Sequence, residues 1–75
     1  MMPEKEVSQM IEAALPGARV QTHDMTGTGD HFDILVVSAA FQGKSLIEQH
    51  QMVFAALAPE MDKRIHAVQL KTRTP

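Results

Sequence analysis

The spacing of apolar residues near the N-terminus predicts a helix. Apolar side chains recur there every three or four positions, which is typical of a helix with one buried stripe. The stripe consists of Val7, Met10, Ile11, Ala14 and Leu15. Glu4 and Glu6 suit the positive end of the helix dipole, and Pro16-Gly17 interrupts the pattern. The first element is therefore expected to be a helix that ends before Pro16.

Alternating side chains then predict two strands. Residues 18–24 alternate Ala18, Val20 and Thr22 with polar neighbours. Residues 31–38 place Phe32, Ile34 and Val36 on one face of a second strand. Residues 25–30 lie between these segments and are rich in turn formers, including two glycines. Two strands joined by such a loop are expected to pair as a hairpin.

The second half of the chain predicts a helix flanked by short turns. A helical turn is expected over residues 39–42, before Gly43, and another turn over residues 60–64. Ser45 and Glu48 have the spacing of a capping box, which marks a helix start. The inner face of that helix is expected to carry Leu46, His50, Val53, Phe54 and Leu57. Since a residue before proline avoids helical angles, Pro59 is expected to end or bend the helix.

A last strand is expected over residues 65–72, with His66, Val68 and Leu70 on one face. The predicted order is helix, strand, strand, short helix, helix, strand. A helix between the second and third strands favours a right-handed crossover, which makes the sheet mixed and covers one face with helices. The sequence therefore predicts a single α+β domain over residues 1–75 with a three-stranded sheet.

Composition narrows the function. A chain of 75 residues supports one small core and leaves little room for a deep reaction pocket, which points away from an enzyme. It contains no cysteine, which excludes a disulfide framework and a thiolate metal ligand from this chain. The net charge is −2 and the pI is about 6.0, whereas domains that grip nucleic acid through phosphates are usually basic.

The N-terminal residues are polar and acidic, unlike a signal peptide, and the longest apolar run covers only residues 34–37. We therefore expect a soluble, cytoplasmic protein that does not bind membranes. Gly43-Lys44-Ser45 lies where a phosphate-binding loop would end, but Ser38 replaces the earlier glycine that this motif requires. A helix cap is the favoured interpretation. Asp24, Asp30 and Asp33 are interpreted as turn and surface residues.

The four histidines are the most informative polar residues. His23 and His31 lie near opposite ends of the hairpin loop, so pairing of the strands could bring them to one rim. His50 falls on the inner helical stripe and is interpreted as a hydrogen-bonded packing residue. His66 begins the last predicted strand. Two or three imidazoles without cysteine make a poor closed metal site, so a metal centre would need ligands from another molecule.

Several motifs together resemble the BolA family. They are the segment Phe41-Gln42-Gly43-Lys44-Ser45-Leu46, then Gln49-His50-Gln51, and finally Ile65-His66-Ala67-Val68. Leu15-Pro16-Gly17-Ala18 and His31-Phe32 add to the likeness, which spans nearly the whole chain. The resemblance implies an αββααβ fold similar to the class II KH domain. It also implies a helix-turn-helix between the second and third strands.

The resemblance further implies a non-enzymatic adaptor that pairs with a monothiol glutaredoxin. Together they would bind, sense or transfer a 2Fe–2S cluster in iron homeostasis, held with the glutaredoxin cysteine and glutathione; the chain alone would carry no cofactor. The family's steady ligand is the histidine of the Ile-His-Ala motif, which is His66 here. A second ligand comes from the hairpin loop, where the position of the cysteine in some members matches Thr28.

Because this chain has Thr28 where those members have cysteine, His23 and His31 are left as alternative second ligands. Two imidazoles facing two thiolates would resemble a Rieske centre, in which histidines raise the reduction potential. Because neutral imidazole is the binding form, acidification towards about pH 6 should weaken the cluster.

The runner-up function is a DNA-binding regulator, since the family is also linked to transcription. Its binding residues would be Lys44, Lys63, Arg64, Lys71 and Arg73, together with the helix that begins at Leu46. The GXXG loop of a nucleic-acid-binding KH domain is not matched by Gly27-Thr28-Gly29, nor by the residues after Gly43. A weak homodimer stays open as a further partner.

Overall fold

The computed structural model describes residues 2–75, in which helices and strands follow the predicted order. The elements are α1 (Glu4–Ala14), β1 (Arg19–Asp24), β2 (His31–Val37), a 3-10 helix (Ala39–Phe41), α2 (Leu46–Leu57) and β3 (Ala67–Arg73). The predicted last strand began too early, because Ile65 forms only an isolated bridge with Met61 and His66 precedes the strand. Within the described residues, neither helix is long and apolar enough to cross a membrane.

The three strands form one mixed sheet with β2 in the centre. β1 pairs antiparallel with β2, which confirms the predicted hairpin, and β3 lies parallel to β2 on the other side. The parallel register places Ala67 opposite His31 and Arg73 opposite Val37. This register brings the residues just before β3 to the end of the hairpin loop.

The core lies on one face of the sheet, as the alternation in β2 predicts. Phe32, Ile34 and Val36 are fully buried there. Both helices contribute to the same core, α1 through Val7 and Ile11 and α2 through Val53 and Leu57. The opposite face of the sheet is not covered by a helix, and we call it the open face. By alternation along the strands, it carries Arg19, Gln21, His23, His31, Asp33, Leu35, Val37, Ala67, Gln69, Lys71 and Arg73.

Two residues of the predicted apolar stripes are exposed. Ala14 lies at the edge of the α1 stripe, because Val7, Ile11 and Leu15, each four residues apart, form its buried row. Leu46 was predicted on the inner face of α2, but it is 61% exposed. The first turn of α2 is exposed, and the apolar residues of this helix that pack in or against the core begin further along, at Met52 and Val53.

The predicted capping box at the start of α2 is confirmed. Ser45 Oγ accepts a hydrogen bond from Glu48 N at 3.2 Å, and Glu48 Oε1 accepts one from Ser45 N at 2.9 Å. α2 ends before Pro59, as expected, although Ala58 keeps helical angles (φ −51°, ψ −38°). The reason given from the sequence was therefore wrong: the chain continues as hydrogen-bonded turns through Pro59. The short helix of the implied helix-turn-helix is a single 3-10 turn, Ala39–Phe41.

Candidate functional site

The hairpin loop is held in one shape by the side chain of Asp24. Its Oδ1 accepts hydrogen bonds from the backbone N–H groups of Thr26 and Gly27, and its Oδ2 accepts one from Gly29 N at 2.8 Å. Gly27 and Gly29 both have φ of 74°, which suits glycine better than any other residue. Met2 N also donates to Gly29 O at 2.9 Å. These bonds fix where the loop delivers the next residue, Asp30.

Asp30 joins the loop to the start of β3. Its carbonyl oxygen accepts hydrogen bonds from His66 N at 2.8 Å and from Ala67 N at 3.2 Å. Because Ala67 lies opposite His31 in the parallel register, His66 lies next to His31. The structure therefore brings together two of the three histidines that the sequence singled out.

The two imidazoles flank the carboxylate of Asp30. The ring centroids of His31 and His66 are 6.2 Å apart, and their planes are inclined by 44°. Asp30 Oδ1 lies 2.8 Å from His31 Nδ1, while Asp30 Oδ2 lies 3.9 Å from His66 Nε2. Thr28 donates its hydroxyl hydrogen to Asp30 Oδ1 as well. We call Asp30, His31 and His66 the histidine corner.

The charge of Asp30 is favoured by these neighbours. The hydrogen bond from Thr28 lowers the pKa of the Asp30 carboxyl most, followed by the hydrogen bond from His31. The carboxyl is therefore ionised at neutral pH, and it acts only as a hydrogen-bond acceptor. Sequence reasoning missed Asp30 by treating it as a turn residue. Its position directly before His31, at a strand start, was the signal that could have identified it.

The other two histidines lie elsewhere. His23 is on β1, where its side chain is 75% exposed and its Nδ1 lies 3.9 Å from Glu4 Oε2. His50 is half-buried on α2, and its Nε2 is buried without a hydrogen-bond partner. The predicted hydrogen-bonded state of His50 is thus not seen at this nitrogen. Of the two alternatives for a second ligand, His31 is the one that the structure pairs with His66.

The polar side chains of the histidine corner are two imidazoles and one carboxylate. Its side chains remain accessible, with His31 41% and His66 56% exposed. Over residues 2–75, no group of three or more histidine, cysteine, aspartate or glutamate side chains is arranged to hold a metal ion. Imidazole nitrogen is a good ligand for iron and zinc, and a second molecule could reach both rings.

The five basic residues predicted for nucleic-acid binding lie on different segments of the chain. Lys44 lies before α2, Lys63 is exposed in the turn before β3, and α2 itself contains no lysine or arginine. Arg64 is engaged: its Nε and Nη2 each donate to the Glu60 carboxylate at 2.9 Å, and Nη2 lies 3.0 Å from Glu6 Oε2. Its charge is therefore largely balanced by these partners.

Lys71 and Arg73 do lie together, on the open face of the sheet. Arg19, which sequence reasoning missed, joins them, because Val37 pairs with Arg19 on one side and with Arg73 on the other. Among the ion pairs of the described residues, none involves these three cations. The alternation of β1 was the signal that could have placed Arg19 on the exposed side.

Comparison with known proteins identifies the family. Residues 7–75 match the family model described as BolA-like protein. The chain is 39% identical to Protein BOLA2 of Arabidopsis thaliana, with 100% of this chain and 82% of that protein aligned. It is 52% identical to human BolA-like protein 2 over 89% of this chain and 79% of that protein.

Solved structures agree with this assignment. The fold superposes on a BolA homologue from Coxiella burnetii with a TM-score of 0.84 and 36% identity, covering 100% of this chain and 94% of that one. The family model and the sequence relatives each span most of the chain. These findings confirm the resemblance drawn from the Ile-His-Ala and Phe-Gln-Gly-Lys motifs: this chain belongs to the BolA family.

Proposed function

We propose that this protein is a non-enzymatic adaptor that pairs with a monothiol glutaredoxin and helps to bind, sense or transfer a 2Fe–2S cluster. His66 and His31 would supply this chain's ligands. The observation that carries the proposal is the histidine corner, in which two accessible imidazoles lie 6.2 Å apart between centroids. Family membership adds support, because His66 occupies the Ile-His-Ala motif from which the ligand role was inferred.

The donor set of this chain suits a shared cluster. The chain offers two imidazoles and no cysteine, whereas iron–sulfur clusters are usually held by four protein ligands. The glutaredoxin cysteine and glutathione would complete the set with sulfur. When bound, the cluster supplies electron-transfer chemistry, and two histidine ligands favour a higher potential than four thiolates. The protein's own contribution is to hold both rings at an accessible surface where a partner can reach them.

Anaerobic reconstitution tests this proposal. The protein would be mixed with a monothiol glutaredoxin, ferrous iron, sulfide and glutathione, and the product followed by absorption, circular dichroism and electron paramagnetic resonance. We expect a spectrum that differs from that of the glutaredoxin alone. His66→Ala and His31→Ala should each remove the difference or shorten the lifetime of the cluster. His23→Ala is the matched control, and it should behave like the unaltered protein.

Two results would overturn parts of the proposal. An unchanged spectrum and lifetime in His66→Ala would remove the central ligand and with it the function. If His23→Ala had the large effect and His31→Ala none, the hairpin ligand would be His23 instead. Circular dichroism in the far ultraviolet checks that each variant is folded. All three histidine side chains are at least partly exposed, so their replacement should leave the core intact.

A second candidate function is DNA binding. It is supported by three cationic side chains on the open face: Arg19, Lys71 and Arg73. All three are exposed on the face without a helix; Arg19 and Arg73 flank Val37, and Lys71 lies opposite Leu35. Phosphate contacts through such cations would be strongly salt-dependent. However, Phe32 and Phe41 are buried and Phe54 is half-buried, so no fully exposed phenylalanine offers a stacking platform.

Gel retardation at several salt concentrations tests this second candidate. Binding to promoter DNA at low salt that weakens steeply as salt rises is expected, and replacement of Arg19, Lys71 and Arg73 by alanine should abolish it. Lys63→Ala is the control for loss of a positive charge elsewhere. No retardation of the unaltered protein at low salt would eliminate the candidate. Equal loss with Lys63→Ala would show that the open face is not the binding surface.

A further inference from the structure

Asp30 contacts both candidate ligands through different atoms. Its Oδ1 accepts hydrogen bonds from Thr28 Oγ1 and from His31 Nδ1, the latter at 2.8 Å. Its Oδ2 faces His66 Nε2 at 3.9 Å, which is too long for a direct hydrogen bond. The Asp30 carbonyl oxygen also accepts the backbone N–H of His66. The carboxylate is therefore held by two hydrogen bonds, and His31 is the ring it holds most closely.

The contact with His31 determines where the ring proton lies. An ionised carboxylate has no hydrogen to donate, so a hydrogen bond at 2.8 Å requires the proton to be on Nδ1 of His31. Neutral imidazole carries one such proton, which leaves the lone pair on Nε2. Metal-binding histidines in proteins commonly donate their other N–H to a carboxylate, which fixes the ring and raises its basicity.

We infer that Asp30 is a positioning residue that holds His31 in the Nδ1–H tautomer and thereby makes Nε2 the nitrogen that coordinates metal. The metal-binding half of this inference rests on the proposed function; the tautomer half belongs to the protein alone. Asp30 would not itself be a ligand. It acts through His31, and its carbonyl oxygen keeps His66 at the neighbouring position.

Nuclear magnetic resonance of the protein alone tests the inference directly. Long-range ¹H–¹⁵N correlation spectra distinguish the two tautomers when they are recorded at a pH where imidazole is neutral. We expect His31 to be the Nδ1–H form in the unaltered protein. Asp30→Ala should convert it to a mixture in which the Nε2–H form predominates, as for imidazole in water. Asp30→Asn keeps a carbonyl acceptor next to His31 and should largely preserve the Nδ1–H form.

Asp33→Ala is the matched control. Asp33 is an exposed aspartate on the same strand, two residues beyond His31, so its removal changes the net charge equally without touching the hydrogen bond. It should leave the His31 tautomer unchanged. An Nε2–H form of His31 in the unaltered protein would overturn the inference, as would an unchanged tautomer in Asp30→Ala. The backbone contacts of Asp30 survive both of its substitutions, so these variants are expected to fold.

The complex with glutaredoxin gives the second readout. Loss of a residue that orients a metal ligand typically lowers metal affinity about tenfold to a hundredfold, and Asp30→Ala should shorten the cluster lifetime accordingly. Asp30→Asn should lose less. If the tautomer changes as expected while His66→Ala leaves the cluster spectrum intact, Asp30 still controls His31 but the proposed function fails. If His66→Ala abolishes the cluster but the His31 tautomer is the same in Asp30→Ala as in the unaltered protein, only the inference about Asp30 fails and the proposed function stands.

Discussion

The two faces of the central strand contrast sharply although their residues alternate along one segment. On the covered face, Phe32, Ile34 and Val36 are fully buried under the two helices. On the open face, Leu35 and Val37 are only half-buried and are flanked by Arg19, Gln21, Lys71 and Arg73. A one-residue shift in β2 would exchange these environments, so the register of the strand determines which side chains form the core.

The contrast indicates how a domain of this size combines stability and function. The core lies on one side of the sheet, since a chain this short cannot cover both sides. The histidine corner lies at the end of β2 where the hairpin loop meets the start of β3, outside the core. The loop backbone there is held by hydrogen bonds to the Asp24 carboxylate, and the His31 ring is held by a hydrogen bond to Asp30. Substitutions of the His31 and His66 side chains should therefore cost little folding stability, because both side chains are exposed outside the core.

The largest expected effect comes from truncating the covered face. Ile34→Ala removes a fully buried side chain at the centre of the sheet, which should lower the free energy of unfolding by about 2–5 kcal/mol. In a small domain this loss could approach the whole stability. Chemical denaturation followed by circular dichroism measures it. Leu35→Ala is the matched control on the open face, where the loss should stay below about 1 kcal/mol. Equal losses would contradict the contrast between the faces.

Much of the covered side could be predicted from the sequence because it depends on local spacing. The stripe through Val7 and Ile11, the alternation through Ile34, and the cap formed by Ser45 and Glu48 each span a few residues. The error at Leu46 arose because periodicity defines a helix face but not how far that face extends over the core. The exposed side chain of Leu46 belongs to a turn beyond the last core contact.

The histidine corner could be predicted only in part. The resemblance identified His66, but the choice between His23 and His31 depends on the parallel pairing of β2 with β3, which brings together residues far apart in sequence. Nothing in local spacing fixes that register. Likewise, the ion pair of Arg64 with Glu6 requires α1 and the turn before β3 to meet in space. Its other partner, Glu60, lies only four residues before Arg64, so that pair could have been inferred from spacing.

The capping box at the start of α2 is expected to stabilise this helix and, through it, the fold. Ser45→Ala removes the acceptor for Glu48 N and leaves a helix N–H group without its partner, which should cost about 0.5–2 kcal/mol. Thermal denaturation measures this loss. Ser8→Ala is a suitable control, because Ser8 lies inside α1 and its hydroxyl contacts Thr22 rather than a helix end. A cost of the Ser45 substitution no larger than that of the control would show that the cap is dispensable.

A smaller effect is expected from the ion pair beside the covered face. The hydrogen bonds from Arg64 lower the pKa of the Glu60 carboxyl below its ordinary value of 4.5. Since the folded pKa is the lower one, this pair stabilises the fold above that ordinary value, and the contribution is lost as the pH falls through the folded pKa. Arg64→Ala should therefore be destabilising at neutral pH and indistinguishable from the unaltered protein in strong acid. Denaturation midpoints measured at neutral and strongly acidic pH compare the two proteins.

The result would be different if Arg64 mattered mainly through packing of its aliphatic stem. Arg64→Met retains most of that stem and removes the charge. If Arg64→Met matched the unaltered protein at every pH while Arg64→Ala did not, packing would be the cause. A pH-independent loss in Arg64→Ala would have the same meaning. High salt should reduce the difference at neutral pH, because the Arg64 side chain is 41% exposed.

The smallest effect on stability is expected on the open face. Lys71 is exposed and lies two residues before Arg73, on the same face of β3. The two like charges repel each other, and neither takes part in an ion pair among the described residues. Lys71→Ala should change the free energy of unfolding by no more than about 0.5 kcal/mol. Any change should be stabilising at low salt and should vanish at high salt, because screening removes the repulsion. Denaturation at two ionic strengths checks this. A clear loss of stability at both would show that this face supports the fold as the covered face does.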